Sequence, residues 1–144
     1  MGKYFEGWGG VDRVPFEKAL SEKVGEAVEV TRYSSRYYVQ TKDNKQGVAV
    51  FEMVQLPGCC AFAVSCHTEI YEKFRGKGIA PILQELKAEI ARKSGYTGMF
   101  ATITDDNEAQ KKILPKSGWV LLADASGKKN PKTGHVIHTY FKSL

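Results

Sequence analysis

The side-chain pattern changes period on a pair of glycines. Up to Ile70 the residues are β-branched and aromatic in short runs, and from Ile79 onward Ile79, Ile82, Leu83, Leu86 and Ile90 recur on one helical face. The joint is Arg75-Gly76-Lys77-Gly78-Ile79-Ala80. A chain built this way sets the end of a strand against the start of a long amphipathic helix, which excludes all-helical and all-sheet folds. The first turn of that helix presents amide N–H groups that no carbonyl of the helix can satisfy. Glycines let the backbone take positive φ and come close to a ligand, while the helix dipole and the charges of Arg75 and Lys77 favour an anion. A pyrophosphate suits such a turn; on its own, a tight turn with solvated cations describes the segment equally well. Ala80 leaves space in the first turn, and Pro81 lies where a missing N–H costs little.

Two familiar phosphate loops fail on spacing. A Walker loop needs Ser or Thr after its lysine, and Lys77 is followed by Gly78. The dinucleotide fingerprint needs a third glycine where Pro81 stands.

Around the joint, Val14 to Lys23 predicts a short helix, and Glu26 to Tyr71 a run of antiparallel strands broken at Ser34-Ser35, Asp43 to Gly47 and Leu56-Pro57-Gly58. The last of these strands is expected over Cys60 to Ile70. Beyond the long helix, stopped at Ser94-Gly95, a strand over Tyr96 to Thr104 is expected. A short helix limited by Pro115 follows, then strands over Trp119 to Ala123 and Val136 to Phe141 joined by a hairpin loop, Ala123 to His135. The fold class is mixed α+β, with a central, mostly antiparallel sheet flanked by helices.

Composition bounds the rest. The 144 residues fit a single domain, 1–144, and 42% hydrophobic residues suffice for a core. No apolar run is long enough to span a bilayer, and Met1 to Gly10 lacks the basic and apolar segments of a secretion signal. Cys59, Cys60 and Cys66 are an odd and poorly spaced disulfide set. Cytoplasmic localisation with no membrane partner is the expectation. No metal is expected either: Cys59, Cys60, Cys66 and His67 are crowded zinc-type ligands, but adjacent cysteines on a strand point to opposite faces and no Cys-x-x-Cys knuckle occurs. The net charge of +5 favours anionic ligands without choosing among them. Arg32, Tyr33, Arg36, Tyr37 and Tyr38 interleave cations and rings as a small nucleic-acid binder would, although strand packing explains the tyrosines more simply.

Arg75, Gly78 and Ala80, placed after a strand and before a helix, match Gln/Arg-x-x-Gly-x-Gly/Ala, and Asn107 lies eleven residues before Gly118-Trp119. On these two motifs the stretch from Cys60 to Trp119 resembles the GNAT superfamily of acyl-CoA-dependent N-acyltransferases. The resemblance implies a sheet splayed between strand 4 and strand 5, with the pantetheine arm lying in the gap. It implies acetyl-CoA as co-substrate, its pyrophosphate on Arg75, Gly76, Lys77, Gly78, Ile79 and Ala80. Strand-end backbone at Thr68, Glu69 and Ile70 would hold the pantetheine and polarise the thioester, and Asn107 would add a contact besides capping a helix.

The implied activity is acetyl transfer to a primary amine of unidentified acceptor class: a small molecule, a peptide or an aminoacyl-tRNA. Such amines are mostly protonated at neutral pH, so a base is needed; Cys66, His67 and Glu69 are the candidates. Plain alternation sends Cys66 to one face and His67 with Glu69 to the other unless a bulge resets the register. Many family members place a proton-donating tyrosine seven residues after the asparagine, and here that position is Leu114. A fold-retaining module that acts through protein contacts is therefore the alternative activity. The oligomeric expectation is a monomer or homodimer.

Overall fold

The structure is a computed structural model that describes residues 8–144; Met1 to Gly7, part of the segment read above for a leader, lie outside the described residues. Three helices, α1 (Val14–Val24), α2 (Ile79–Lys93) and α3 (Glu108–Lys116), accompany eight strands: β1 (Val28–Tyr33), β2 (Arg36–Thr41), β3 (Gly47–Gln55), β4 (Phe62–Ile70), β5 (Gly98–Thr104), β6 (Val120–Leu121), β7 (Lys128–Lys129) and β8 (Val136–Ser143). They form one sheet of order β1-β2-β3-β4-β5-β8-β6, with β7 also paired to β8. Every pairing is antiparallel except β4 with β5. Among the described residues no helix is long and apolar enough to cross a membrane.

Register explains the core. The pairs Val30–Val39, Tyr37–Phe51, Met53–Ser65, Ala63–Met99 and Ala101–Tyr140 stack across the strands, and all ten side chains are buried. Ile79, Leu83, Leu86 and Ile90 of α2 are buried with them, with Leu20 of α1 and Leu114 of α3. On the opposite face Phe62, Phe100 and Phe141 meet edge-on or tilted at 5.0 to 5.6 Å and stay half-buried. Their packing needs a bare floor at Gly98, where a Cβ would stand 2.4 Å from Phe141.

Several boundaries differ from the expected ones. Pro115 does not end α3, which runs on to Lys116 with the proline inside it. Near a helix C-terminus a proline forfeits only one N–H bond, and buried Leu114 and Trp119 hold the segment in place. The strand expected over Trp119 to Ala123 shrinks to Val120–Leu121, because Ala123–Ala125 winds into a 3-10 turn. The expected loop from Ala123 to His135 includes that turn and the two-residue strand β7. Strand β4 begins at Phe62 rather than Cys60, and β5 at Gly98 rather than Tyr96. Of the rings proposed for nucleic-acid stacking, Tyr37 is fully buried, stacked on Phe51 at 4.9 Å, and is closed to a base.

Candidate active site

The glycine turn takes the geometry that its residues predict. A 3-10 turn, Glu72–Phe74, buries Phe74 and anchors the chain before Arg75. Gly76 and Gly78 adopt φ of 76° and 82°, a region in which any residue with a Cβ is strained. Gly78 is the N-cap of α2, and no side chain caps that end, so the first-turn amides face a cavity of about 700 Å³. Arg75, Gly76, Gly78, Ile79 and Ala80 line it, together with Thr68, Glu69 and Ile70 of β4 and Asn107 of α3. Lys77 is exposed on the same turn. Lys23 of α1, which sequence reasoning missed, brings its Nζ to 3.7 Å from where a Cβ on Gly78 would stand. Only the packing of α1 against α2 reveals it; nothing local in the sequence points from Lys23 to Gly78.

Beside this cavity the sheet opens. β4 and β5 pair from Phe62–Gly98 to Ser65–Ala101, and no further. Beyond Ser65 the strands diverge around a second space of about 210 Å³, which shares Thr68, Thr104, Asn107 and Gln110 with the first. The splay between strand 4 and strand 5 is thus present. A bulge in β4 accompanies it: Glu52 pairs with Cys66 and Val50 with Glu69, so Phe51 faces two residues, His67 and Thr68. His67 takes φ of 51°, one of three non-glycine residues in the left-handed region among the described residues. Past the bulge the N–H of Tyr71 donates to Val48 of β3, whereas the carbonyl of Ile70 accepts from Arg75 Nε at 2.8 Å. A residue's N–H and C=O point the same way in a strand, so the Ile70 amide faces away from β3, toward the gap. Asn107 caps α3 by accepting from the N–H of Gln110 at 3.2 Å, which leaves its NH2 group available.

The bulge also overrides plain alternation. Cys66 and His67 both reach Glu52 on β3: His67 Nδ1 lies 2.6 Å from Glu52 Oε1 and Cys66 Sγ lies 3.7 Å from the same oxygen. Ser35 donates to the other carboxylate oxygen at 2.6 Å. That hydroxyl, followed by His67, holds the Glu52 carboxyl below its ordinary range. Burial, followed by the charge of Glu52, pushes the Cys66 thiol up to about 11, so at neutral pH it keeps its proton and cannot act as a base. Glu69, paired with Val50, is exposed on the 700 Å³ cavity. Glu52 is the residue that sequence reasoning passed over; its even spacing in β3 reads as an ordinary polar strand position until the bulge turns His67 onto it.

Among the described residues, two sets of three potential metal ligands converge within 4.8 Å: Glu52, Cys66 and His67, and Asp105, Asp106 and His135. Neither contains Cys59 or Cys60, and no disulfide joins any of the three cysteines.

Two polar side chains of α2 enter the gap between the strands. Gln84 is buried, and its Oε1 has no hydrogen-bond partner among the described residues. Lys87 is 2% exposed; its Nζ donates to Thr68 Oγ1 at 2.7 Å and lies 5.4 Å from the centre of the Phe51 ring. Burial lowers this ammonium from 10.5 to about 7. An orphaned acceptor, a strand edge and an uncapped helix end along two adjoining spaces fit an extended ligand that has amide donors at one end and phosphates at the other.

No protein-family profile and no curated protein sequence matches this chain. Solved structures do. An acetyltransferase of the GNAT family from Streptococcus pneumoniae is 12% identical over 76% of this chain and 67% of its own, at a TM-score of 0.60. A Bacillus anthracis protein assigned as a streptothricin acetyltransferase, in complex with acetyl coenzyme A, is 15% identical over 76% of this chain and 61% of its own, at 0.62. The spermidine N-acetyltransferase of Vibrio cholerae, in complex with CoA and spermine, is 12% identical over 75% and 64%, at 0.61. The chain therefore spans less than two thirds of the length of the latter two proteins. The fold is that of the GNAT N-acyltransferases: a mostly antiparallel sheet, parallel only between β4 and β5, with three helices.

Proposed function

We propose that this chain is an acetyl-CoA-dependent N-acetyltransferase. The observation that carries the reading is that two features adjoin, an uncapped helix start on a glycine turn and a gap between parallel strands. In this reading the first-turn amides, with Arg75, Lys77 and Lys23, hold the pyrophosphate. The pantetheine arm runs along the edge of β4 from Thr68 to Ile70, with Gln84 Oε1 as an acceptor for one of its amides and Asn107 as a further donor. Backbone N–H groups at the bulge meet the thioester oxygen, where negative charge develops as the amine attacks. On the acceptor side His67 is the base, oriented by Glu52, and passes the amine proton to solvent. Cys66, held as a thiol, does not take this role, and Glu69 sits nearer the phosphate end.

The acceptor is a primary amine carried by a small molecule, a peptide or an aminoacyl-tRNA, and the protein acts in the cytoplasm as a monomer or homodimer. Calorimetric titration with acetyl-CoA tests the donor site, and thiol release across a panel of amines tests the transfer. Absence of binding at high micromolar acetyl-CoA would sink the reading. A second reading, a module that keeps the fold and acts through protein contacts, is favoured by Leu114, which is 1% exposed and brings no hydroxyl to the gap. Thiol release with any amine removes it.

A further inference from the structure

Leu114 leaves the gap without a proton donor from α3, yet the gap is not without one. Lys87 enters it from α2, across from Leu114, and is nearly sealed from solvent. Among the described residues no carboxylate pairs with it; its partners are the Thr68 hydroxyl and the face of Phe51. A buried cation with no counter-charge is costly, and a core position among Leu83, Leu86 and Ile90 is otherwise suited to an apolar residue. The titratable groups that face Lys87 are Cys66 and His67 of β4, with Glu52 of β3 behind Cys66; β5 and α3 present only uncharged side chains to this space. An anion that forms in the gap therefore meets one cation.

We propose that Lys87 is a catalytic acid, which delivers the proton that the thioester sulfur takes up as it leaves. The inference rests on the acyl-CoA reading above. In the step, the acceptor nitrogen forms its bond to the acyl carbon, the C–S bond breaks and its electron pair stays on sulfur. Lys87 Nζ gives that sulfur a proton, so a free thiol and a neutral amine result. The proton that the acceptor nitrogen loses departs through His67 to solvent, and Lys87 is reprotonated from solvent before the next turnover. Burial suits it to this role, because an ordinary lysine holds its proton too tightly, whereas one lowered to about 7 gives it up near neutral pH. Thr68 fixes the ammonium at the bulge, next to the β4 edge.

The test reads the acid directly, with hydroxylamine, a small nucleophile largely neutral near pH 7, as acceptor: thiol release from acetyl-CoA is followed from about pH 6.5 to about pH 9 on the wild-type chain and on Lys87→Met, with the protein-free rate subtracted. Calorimetry in parallel measures CoA affinity. The expected result is a wild-type rate that falls as the pH rises through about 7, where Lys87 loses its proton, and a Lys87→Met rate at least about tenfold lower that lacks this fall. Affinity should change less than about threefold between the two proteins. A wild-type rate that is absent or does not fall above about pH 7 overturns the proposal whether or not the variant folds, and leaves the CoA site standing. An equal rate and pH profile in both proteins assigns Lys87 a structural role at the bulge and also overturns it. Failure of the wild-type chain to bind CoA removes the acyl-CoA reading and this proposal together.

Discussion

His67 Nδ1 lies 2.6 Å from Glu52 Oε1, and the contact exists because β4 carries one residue more than β3 at this level. The imidazole stays two-thirds exposed while the carboxylate is 15% exposed and tied to Ser35. One group is thus held and the other reaches solvent, which is the arrangement of a base with its orienting partner.

Replacing His67 by Gln should lower the turnover of an identified amine by about 10²- to 10⁴-fold, the usual worth of a general base, with CoA affinity unchanged. Glu52→Gln keeps a hydrogen-bonding side chain and removes the charge, so a smaller loss is expected. Steady-state kinetics with calorimetry separates the two effects. Equal turnover in His67→Gln and wild type would rule out the assignment.

The glycine turn and α2 are legible in the sequence, because they follow from period and spacing, which are local properties of Arg75 to Ile90, whereas the splay of the strands is implied only by the family resemblance. Asn107 is legible for the same reason, since a cap is read from its neighbours. Glu52 and Lys23 are not. Each becomes part of the site through a contact between elements far apart in the chain, and the bulge that turns His67 onto Glu52 is set by strand pairing. Lys87 is invisible for a different reason: a lysine between Leu86 and Ala88 reads as the solvated side of an amphipathic helix, but α2 is covered on two sides, by the sheet and by α1 and α3. The same kind of contact explains Pro115, which tertiary packing keeps inside α3.

Gly78→Ala should weaken CoA binding about tenfold and cost about 1–2 kcal/mol of stability, because an alanine at φ of 82° is strained. The added Cβ meets the Lys23 side chain first, at 3.6 to 3.7 Å, an ordinary contact, so the effect comes from the backbone. Chemical denaturation and calorimetry measure both. An alanine variant that binds CoA as wild type does would mean that the turn tolerates other geometries and is not the phosphate cradle.

Lys23→Met should leave the fold intact and raise the dissociation constant of CoA about two- to tenfold, with a difference that shrinks as salt is added. Titrations at low and high ionic strength check this. Dephospho-forms of the ligand locate the contact, since a pantetheine fragment without phosphates should bind both proteins equally.

Cys66 should be slow to alkylate. With its thiol at about 11, only about one molecule in a thousand carries the thiolate at pH 8. Peptide mapping after iodoacetamide treatment should find Cys60, which is exposed, labelled well ahead of Cys66. Burial remains in Glu52→Gln but the charge does not, so labelling of Cys66 should accelerate in that variant. Unchanged labelling would assign the whole effect to burial.

Lys87 gives the protein a pH-dependent stability whose sign is fixed by the direction of its shift. Burial lowers the ammonium from 10.5 to about 7, so the folded chain releases this proton earlier than the unfolded chain does. Below about pH 7 both states are protonated and the cost of the buried charge is present in full. Between about 7 and 10.5 the unfolded state holds more protons, so stability rises with pH across that window. Lys87→Met removes the effect: it should be roughly 1–4 kcal/mol more stable than wild type at pH 6, as expected when a buried charge gives way to an apolar side chain of similar volume. The advantage should narrow as the pH approaches 10. Urea unfolding of both proteins at several pH values measures the difference. Two curves that run parallel from pH 6 to pH 10 would show that Lys87 keeps its proton throughout, and would place its ammonium in a better solvated position than the gap provides.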